Sequence, residues 1–323
     1  MNKKDSNVRC RICGNNSENS PFAAREMMFG LRESFDYFQC DICGCIQILR
    51  IPDDLSKYYP DQYYAYKSPG WSKILIKGPW LCDPFSWKKA ILRALSFLPG
   101  VHVMPEWMSR AGLPLSASIL EIGSGSGTRL IAMREAGYRD LTGIDPYISG
   151  DGSYSDGIRV LKREVRQIDR RYDFVMMHHS FEHMPDPFTA LREVNGVLAP
   201  KGTVLIRIPV ASCYAWKKYG VNWYAFDAPR HLYLHSPASL KCVAETVGFE
   251  IFDMFYDSDS YQFIGSEQYA RDIPAQDQRS YFVNRSRSIF KSADIRAFEN
   301  EAKRLNRCGE GDSAAFYLRR KSR

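Results

Sequence analysis

Ser118-Ile119-Leu120-Glu121-Ile122-Gly123-Ser124-Gly125-Ser126-Gly127-Thr128 joins a short apolar run to a stretch, Leu130 to Ala136, whose apolar residues fall at helical spacing. Where a strand turns through glycines into a helix, a ligand can approach the backbone closely, because glycine has no Cβ in the way. The dinucleotide pattern GxGxxG would need glycine at Thr128, and this chain offers GxGxG instead. A second apolar run, Leu141 to Ile144, ends on Asp145, eighteen residues beyond Gly127. A carboxylate there can accept hydrogen bonds from both hydroxyls of a ribose. A bare glycine turn with a helix-capping aspartate is the plainer reading, but it leaves the shared order and placement of the two features unexplained.

The alternation continues outward. Ile158–Leu161, Asp173–His178 and Gly202–Ile208 read as strands, Phe188–Leu198 as a helix, Ser236–Gly248 as a helix with a Ser-Pro start, and Phe249–Tyr256 and Ala314–Leu318 as closing strands. Strands alternating with helices call for a doubly wound α/β sheet of Rossmann-like type. That domain is expected over residues 118–323, with an acceptor lid at 211–235 and an insertion at 258–311 whose latter half is charged and helix-like. Residues 67–117 read as a bridge of short amphipathic helices interrupted at Gly78-Pro79 and Pro84. A membrane-surface helix is the alternative there.

Residues 1–66 have a different texture. Cys10-Arg11-Ile12-Cys13-Gly14 and Cys40-Asp41-Ile42-Cys43-Gly44 are matched CxxCG knuckles with 26 residues between them. Two-residue gaps let both sulfurs of a knuckle face one ion, and a tetrahedral all-cysteine site needs four thiolates. A structural zinc on Cys10, Cys13, Cys40 and Cys43, in a small zinc-ribbon-like module, is therefore expected; Cys45 is a possible substitute for Cys43. Redox chemistry needs only one such pair. Cys82, Cys213, Cys242 and Cys308 are isolated and read as buried thiols.

ILEIGSGSGTRL followed by LTGIDP resembles the cofactor signature of class I methyltransferases over about Ser118 to Ile208. The resemblance implies S-adenosylmethionine, with Glu121 on its cationic amino group, Gly123, Ser124, Gly125 and Gly127 around its methionine moiety and Asp145 on its ribose. Ile148 to Gly157 replaces the helix that family places after its second strand, so adenine contacts do not carry over. A zinc knuckle, then the tyrosine-rich Tyr58–Tyr66, then this domain is similar to bacterial sugar methyltransferases of secondary-metabolite and surface-glycan pathways. The likeness extends to Pro229-Arg230-His231-Leu232-Tyr233. Nucleotide-sugar C-methyltransferases carry a tyrosine and a glutamate-histidine pair there; only His231 matches, which shifts the expectation to O-methylation.

Reacting atoms in a parallel sheet lie beyond the C-terminal strand ends. After the fourth strand stand His179, Glu182 and His183, within a chain that has only six histidines. Methyl transfer to a hydroxyl needs an aligned acceptor and a base, and histidine can take the proton. His183 or His231 is the expected base. Ubiquinone-pathway O-methyltransferases and small-RNA 2′-O-methyltransferases carry a similar ExxEH and use it on a divalent metal; here His179, Glu182 and His183 would form a mixed nitrogen–oxygen site. A structural role for the cluster is the third reading. In the lid, Trp223 and Tyr224 are candidates for stacking on a sugar face and Arg230 for a phosphate or carboxylate, with simple packing as the alternative.

The 323 residues, 45% hydrophobic and 25% charged, suffice for one α/β core and an accessory module. No apolar run reaches 18 residues and Met1 to Gly14 lacks a secretory signal core, so a cytoplasmic protein without a transmembrane segment is expected, peripheral membrane contact remaining open. The net charge of +7 is spread along the chain rather than gathered in a stripe. That disfavours a nucleic-acid partner relative to a small-molecule or glycan acceptor. Rivals are an RNA methyltransferase and a non-catalytic protein that binds S-adenosylmethionine. Nothing in the sequence speaks to oligomeric state.

Overall fold

The computed structural model describes residues 8–17, 19–60, 80–81, 102–103, 105–154 and 157–322, with backbone alone at 80–81, 102–103 and 153–154. Most of the expected helical bridge, including Cys82, lies outside them. Within it, β4 (Trp80–Leu81) and β5 (His102–Val103) form a two-residue parallel ladder, and α1 (Glu106–Ala111) leads into the sheet.

The amino-terminal module is a meander of β1 (Pro21–Arg25), β2 (Ser34–Gln39) and β3 (Ile46–Ile48). It borrows a fourth strand: β12 (Tyr233–Leu234), from the far end of the chain, pairs antiparallel with β3. Buried Ile12, Tyr37, Phe38 and Ile46 share one continuous core with Leu120, Val175, Ile206 and Leu240 of the large sheet. Too small to bury a core alone, the module completes one against its neighbour.

The large sheet has eight strands. β6 (Ser118–Ile122), β7 (Asp140–Ile144), β9 (Ile158–Leu161), β10 (Tyr172–His178) and β11 (Leu198–Pro209) are parallel, whereas β14 (Ser313–Arg320) runs antiparallel between β11 and β13 (Phe249–Tyr256). β8 (Gly152–Tyr154) adds an antiparallel edge to β9, giving the order β13-β14-β11-β10-β6-β7-β9-β8. The stretch without a helix after the second strand thus contributes β8, paired antiparallel with β9. The fifth expected strand begins four residues early, because Leu198 already pairs with Tyr172 across a register shift.

Successive residues of β6 and β10 feed opposite faces. Leu120, Val175 and Met177 pack with α3 (Pro187–Val197) and α5 (Pro237–Val247); Ile119, Phe174 and Met176 pack with α1 and α2 (Thr128–Glu135). Asp186 caps α3, accepting from the amides of Phe188 and Thr189, and Ser236 caps α5. The expected lid holds α4 (Tyr214–Tyr219), two 3-10 turns and β12, and the insertion holds α6 (Tyr261–Tyr269) and the largely exposed α7 (Ser292–Cys308).

His235 follows β12 and is fully buried between the rings of Phe181 and Tyr233, at 5.4 and 5.7 Å. Burial pulls its imidazole down to about 4. The unfolded chain, with an ordinary value near 6.5, therefore binds the proton first as pH falls. Stability from this residue is complete above about pH 6.5 and lost on acidification toward pH 4, by roughly 3 kcal/mol. Urea unfolding of His235→Phe at pH 7 and pH 4 should show acid destabilisation smaller by that order than in the wild type; equal losses in both would show that His235 is not held neutral.

Candidate active site

The glycine turn after β6 and Asp145 after β7 lie together beyond the ends of their strands. Gly123, Gly125 and Gly127 all have positive φ, and Gly123, at +72°, leaves no room for a side chain: a Cβ would stand 2.5 Å from that of Ser180. Glu121 is fully buried and pairs with Arg129; burial raises its carboxyl in spite of that cation, and Oε2 has no hydrogen-bond partner. An unpaired buried carboxylate oxygen beside a glycine turn fits the ammonium of S-adenosylmethionine. Asp145 accepts from the amides of Gly125 at 3.0 Å and Tyr147 at 2.9 Å, which fixes its carboxylate and leaves lone pairs for ribose hydroxyls. Ser124 turns its hydroxyl toward Gly143, where it is buried without a hydrogen-bond partner.

Past the end of β10, a 3-10 turn (Phe181–His183) carries Glu182, which is fully buried with both carboxylate oxygens unpartnered. His231 Nε2 lies 3.8 Å from Glu182 Oε1, and the rings of His183 and His231 are 4.8 Å apart. His183 Nδ1 is 2.8 Å from the Arg230 carbonyl and His231 Nδ1 is 2.8 Å from that of Ala225. A carbonyl only accepts, so each Nδ1 is the donor and the neutral form of each ring has its lone pair on Nε2. Burial lowers His231 to about 4, helped by the neighbouring His183. Burial opposes ionisation of Glu182, but His179, His183 and His231 together outweigh it and bring the carboxyl to about 2. At neutral pH the centre is therefore a carboxylate facing a neutral His231. His183 also lies close enough to bias Asp145, which connects the centre to the cofactor side.

Several expected roles change. His179, in a left-handed conformation with φ +51°, accepts from Arg207 through Nε2 at 2.6 Å, and its Nδ1 stands 3.6 Å from Glu182. At this centre the group able to converge on an ion is Glu182, His183 and His231, so His231 takes the place expected of His179. Arg230 is not an anion-binding lid residue. It has no exposed surface, and its guanidinium is held by Asp227, by Glu26 and by the Tyr58 carbonyl. Trp223 is equally buried and donates to Asp312 at 2.9 Å. Tyr224 stacks on Phe282 and packs over Gly265 of α6. These three residues of the expected lid are thus held by packing and hydrogen bonds. Glu26, Tyr59 and Asp227 are neighbours of the site that the sequence did not single out; Tyr59, whose hydroxyl is 3.3 Å from His183 Nδ1, belongs to the tyrosine-rich run.

The four knuckle sulfurs lie within 4.8 Å of one another, with Cys10–Cys43 at 3.6 Å and Cys13–Cys40 at 3.5 Å. A tetrahedral ion with sulfur at about 2.3 Å separates its ligands by about 3.8 Å. The Gln47 amide and the backbone N–H groups of Ile12 and Cys13 donate to Cys10, the arrangement that stabilises a thiolate. Gly14 and Gly44 take the positive φ needed to close each knuckle. Cys45 is buried outside the cluster, and Cys308, expected inside, is exposed at the end of α7.

Residues 95–253 match the family described as "Methyltransferase domain". The chain is 30% identical over 165 residues to the ubiquinone biosynthesis O-methyltransferase of Bordetella avium (strain 197N), covering 45% of this chain and 67% of that protein. It is 44% identical over 64 residues to the human (Homo sapiens) EEF1A lysine methyltransferase 2, covering 18% of this chain and 27% of the relative. Among solved structures, mycolic acid cyclopropane synthase CmaA1 aligns with TM-score 0.42 and 14% identity over 74% of this chain and 92% of that one. The chain belongs to the S-adenosylmethionine-dependent methyltransferases of class I. Among the described residues no helix is long and apolar enough to cross a membrane.

Proposed function

We propose that this enzyme methylates a hydroxyl oxygen of a sugar, nucleotide-sugar or glycan-like metabolite. The observation that carries the reading is the buried, unpartnered Glu182 between His183 and His231, at the strand end where the acceptor must meet the cofactor. S-adenosylmethionine supplies an electrophilic methyl on a sulfonium. His183, with Nδ1–H held by the Arg230 carbonyl, offers Nε2 to the acceptor hydroxyl. As the oxygen bonds to the methyl carbon and the carbon–sulfur bond breaks, its proton passes to Nε2, and the Glu182 carboxylate stabilises the imidazolium formed. The Bordetella relative is named for an O-methyl transfer, which agrees with a hydroxyl acceptor. The sugar class rests on the sequence resemblance, since Trp223 is buried and Tyr224 is engaged in packing.

A second reading is favoured by the same orphaned carboxylate. Glu182 and the Nε2 atoms of His183 and His231 would hold a divalent cation, with both Nδ1 atoms oriented from behind by carbonyls as metal-ligating histidines usually are. Such an ion would lower the acceptor's pKa. The cysteine cluster is assigned to structural zinc.

A panel of nucleotide-sugars, free sugars and total RNA with radiolabelled methyl donor tests the acceptor class. Label in a sugar supports the reading, and label in RNA alone overturns it. With that acceptor, His183→Ala should lower turnover by about 10²–10⁴-fold at unchanged cofactor affinity. Loss of turnover on adding chelator, restored by Mg²⁺ or Mn²⁺, would select the metal reading over the base.

A further inference from the structure

The segment from Asp227 to His235 supplies His231 and the Arg230 carbonyl to the Glu182 centre, and it is also tied to the cysteine module. β12 pairs with β3, the Tyr37 hydroxyl donates to the His231 carbonyl at 3.1 Å, and the Ile48 amide donates to the Leu232 carbonyl at 3.1 Å. The strongest tie is Arg230. Its Nη2 bonds Asp227 at 2.5 Å and Glu26 at 3.1 Å, Nε bonds Asp227 at 2.9 Å, and Nη1 bonds the Tyr58 carbonyl at 3.2 Å, while the Phe29 ring stands 5.3 Å away. Glu26 is itself fixed by the amides of Phe29 and Leu31, at 2.9 and 3.0 Å.

We propose that Arg230, clamped by Glu26, is a positioning residue through which the cysteine module sets the tautomer and orientation of His183. A buried ionic triad is a poor source of stability, because desolvation offsets its attraction and apolar replacements often do as well. Its distinctive capacity is geometric, since a planar fork bonded on three sides has one orientation. That orientation fixes the carbonyl of the same residue, which receives the His183 Nδ1–H at 2.8 Å. Imidazole free in water favours Nε2–H; at His183 the nearer neighbour of Nδ1 is this obligate acceptor at 2.8 Å, with the Tyr59 hydroxyl, which can also accept, at 3.3 Å, and together they impose the opposite form. It leaves Nε2 free for the work assigned to it above. The inference deepens that assignment and rests on it only for its consequence, because the tautomer can be read without an acceptor.

The test is two-bond proton–nitrogen spectroscopy of the full-length, metal-replete protein carrying ¹⁵N-histidine, with His183 assigned by its absence in His183→Gln. Wild type should show His183 as Nδ1–H. Arg230→Met should convert it to predominantly Nε2–H, and the milder Glu26→Gln and Arg230→Lys should give mixtures. In all three, affinity for S-adenosylhomocysteine should stay within twofold, because Glu121, Gly123 and Asp145 are held by other elements. A wild-type His183 that is not Nδ1–H overturns the inference, as does an unchanged His183 pattern in folded Glu26→Gln and Arg230→Lys. If instead the tautomer follows the variants while His183→Ala still methylates the acceptor, positioning stands and the assigned role of His183 fails.

Discussion

Cys40→Ser should remove far more than a metal ion. Structural zinc in small modules contributes about 10–16 kcal/mol of apparent folding free energy, because ligands without the ion leave little to hold the chain. The cysteine module here has no core of its own, and the apolar residues behind its knuckles continue into those behind the large sheet. β12 would lose its partner β3, and Arg230 would lose Glu26. The expected result is a lowered melting temperature, by about 10 °C or more given a few degrees per kcal/mol, with loss of methyl transfer. Binding of S-adenosylhomocysteine should persist at reduced affinity, because the glycine turn and Asp145 lie on β6 and β7. Full retention of both melting temperature and turnover in protein shown by metal analysis to hold no zinc would refute a structural role.

The pattern of legible and illegible residues has a physical reason. Gly123, Asp145 and the CxxCG knuckles announce themselves because their chemistry is local: a positive φ, a carboxylate at a strand end, two sulfurs on one turn. The strands were legible for a similar reason, since both faces of the parallel sheet are covered and their apolar runs are nearly unbroken. Arg230 carried no such mark. An exposed arginine near an active site and a buried one clamped by Glu26, 204 residues distant, look alike in sequence. His231 is marked in the sequence as a candidate base, but its pairing with Glu182 in place of His179 is not, and neither is β8, where a glycine-rich stretch became an edge strand on β9.

Gly123→Val should abolish detectable cofactor binding, and Asp145→Ala should weaken it by one to two orders of magnitude. At Gly123 two penalties coincide. The φ of +72° is one that a β-branched residue resists, and the new Cβ would fall 2.5 Å from that of Ser180, whose hydroxyl donates to the Ile122 carbonyl at 2.9 Å. The end of β6 and the turn bearing Glu182 and His183 would be forced apart, so both halves of the site move. At Asp145 the loss is chemical. Hydrogen bonds to a charged group are worth about 1.5–3 kcal/mol, and each 1.4 kcal/mol is tenfold in affinity. The amides of Gly125 and Tyr147 lose their acceptor as well, which loosens the glycine turn. Titration calorimetry with S-adenosylhomocysteine, using Arg304→Ala on the exposed face of α7 as a surface control, measures both. Because Gly123 acts through space and Asp145 through hydrogen bonds, wild-type affinity in either variant would remove that residue's assignment, and in both would move the cofactor away from the β6–β7 crevice.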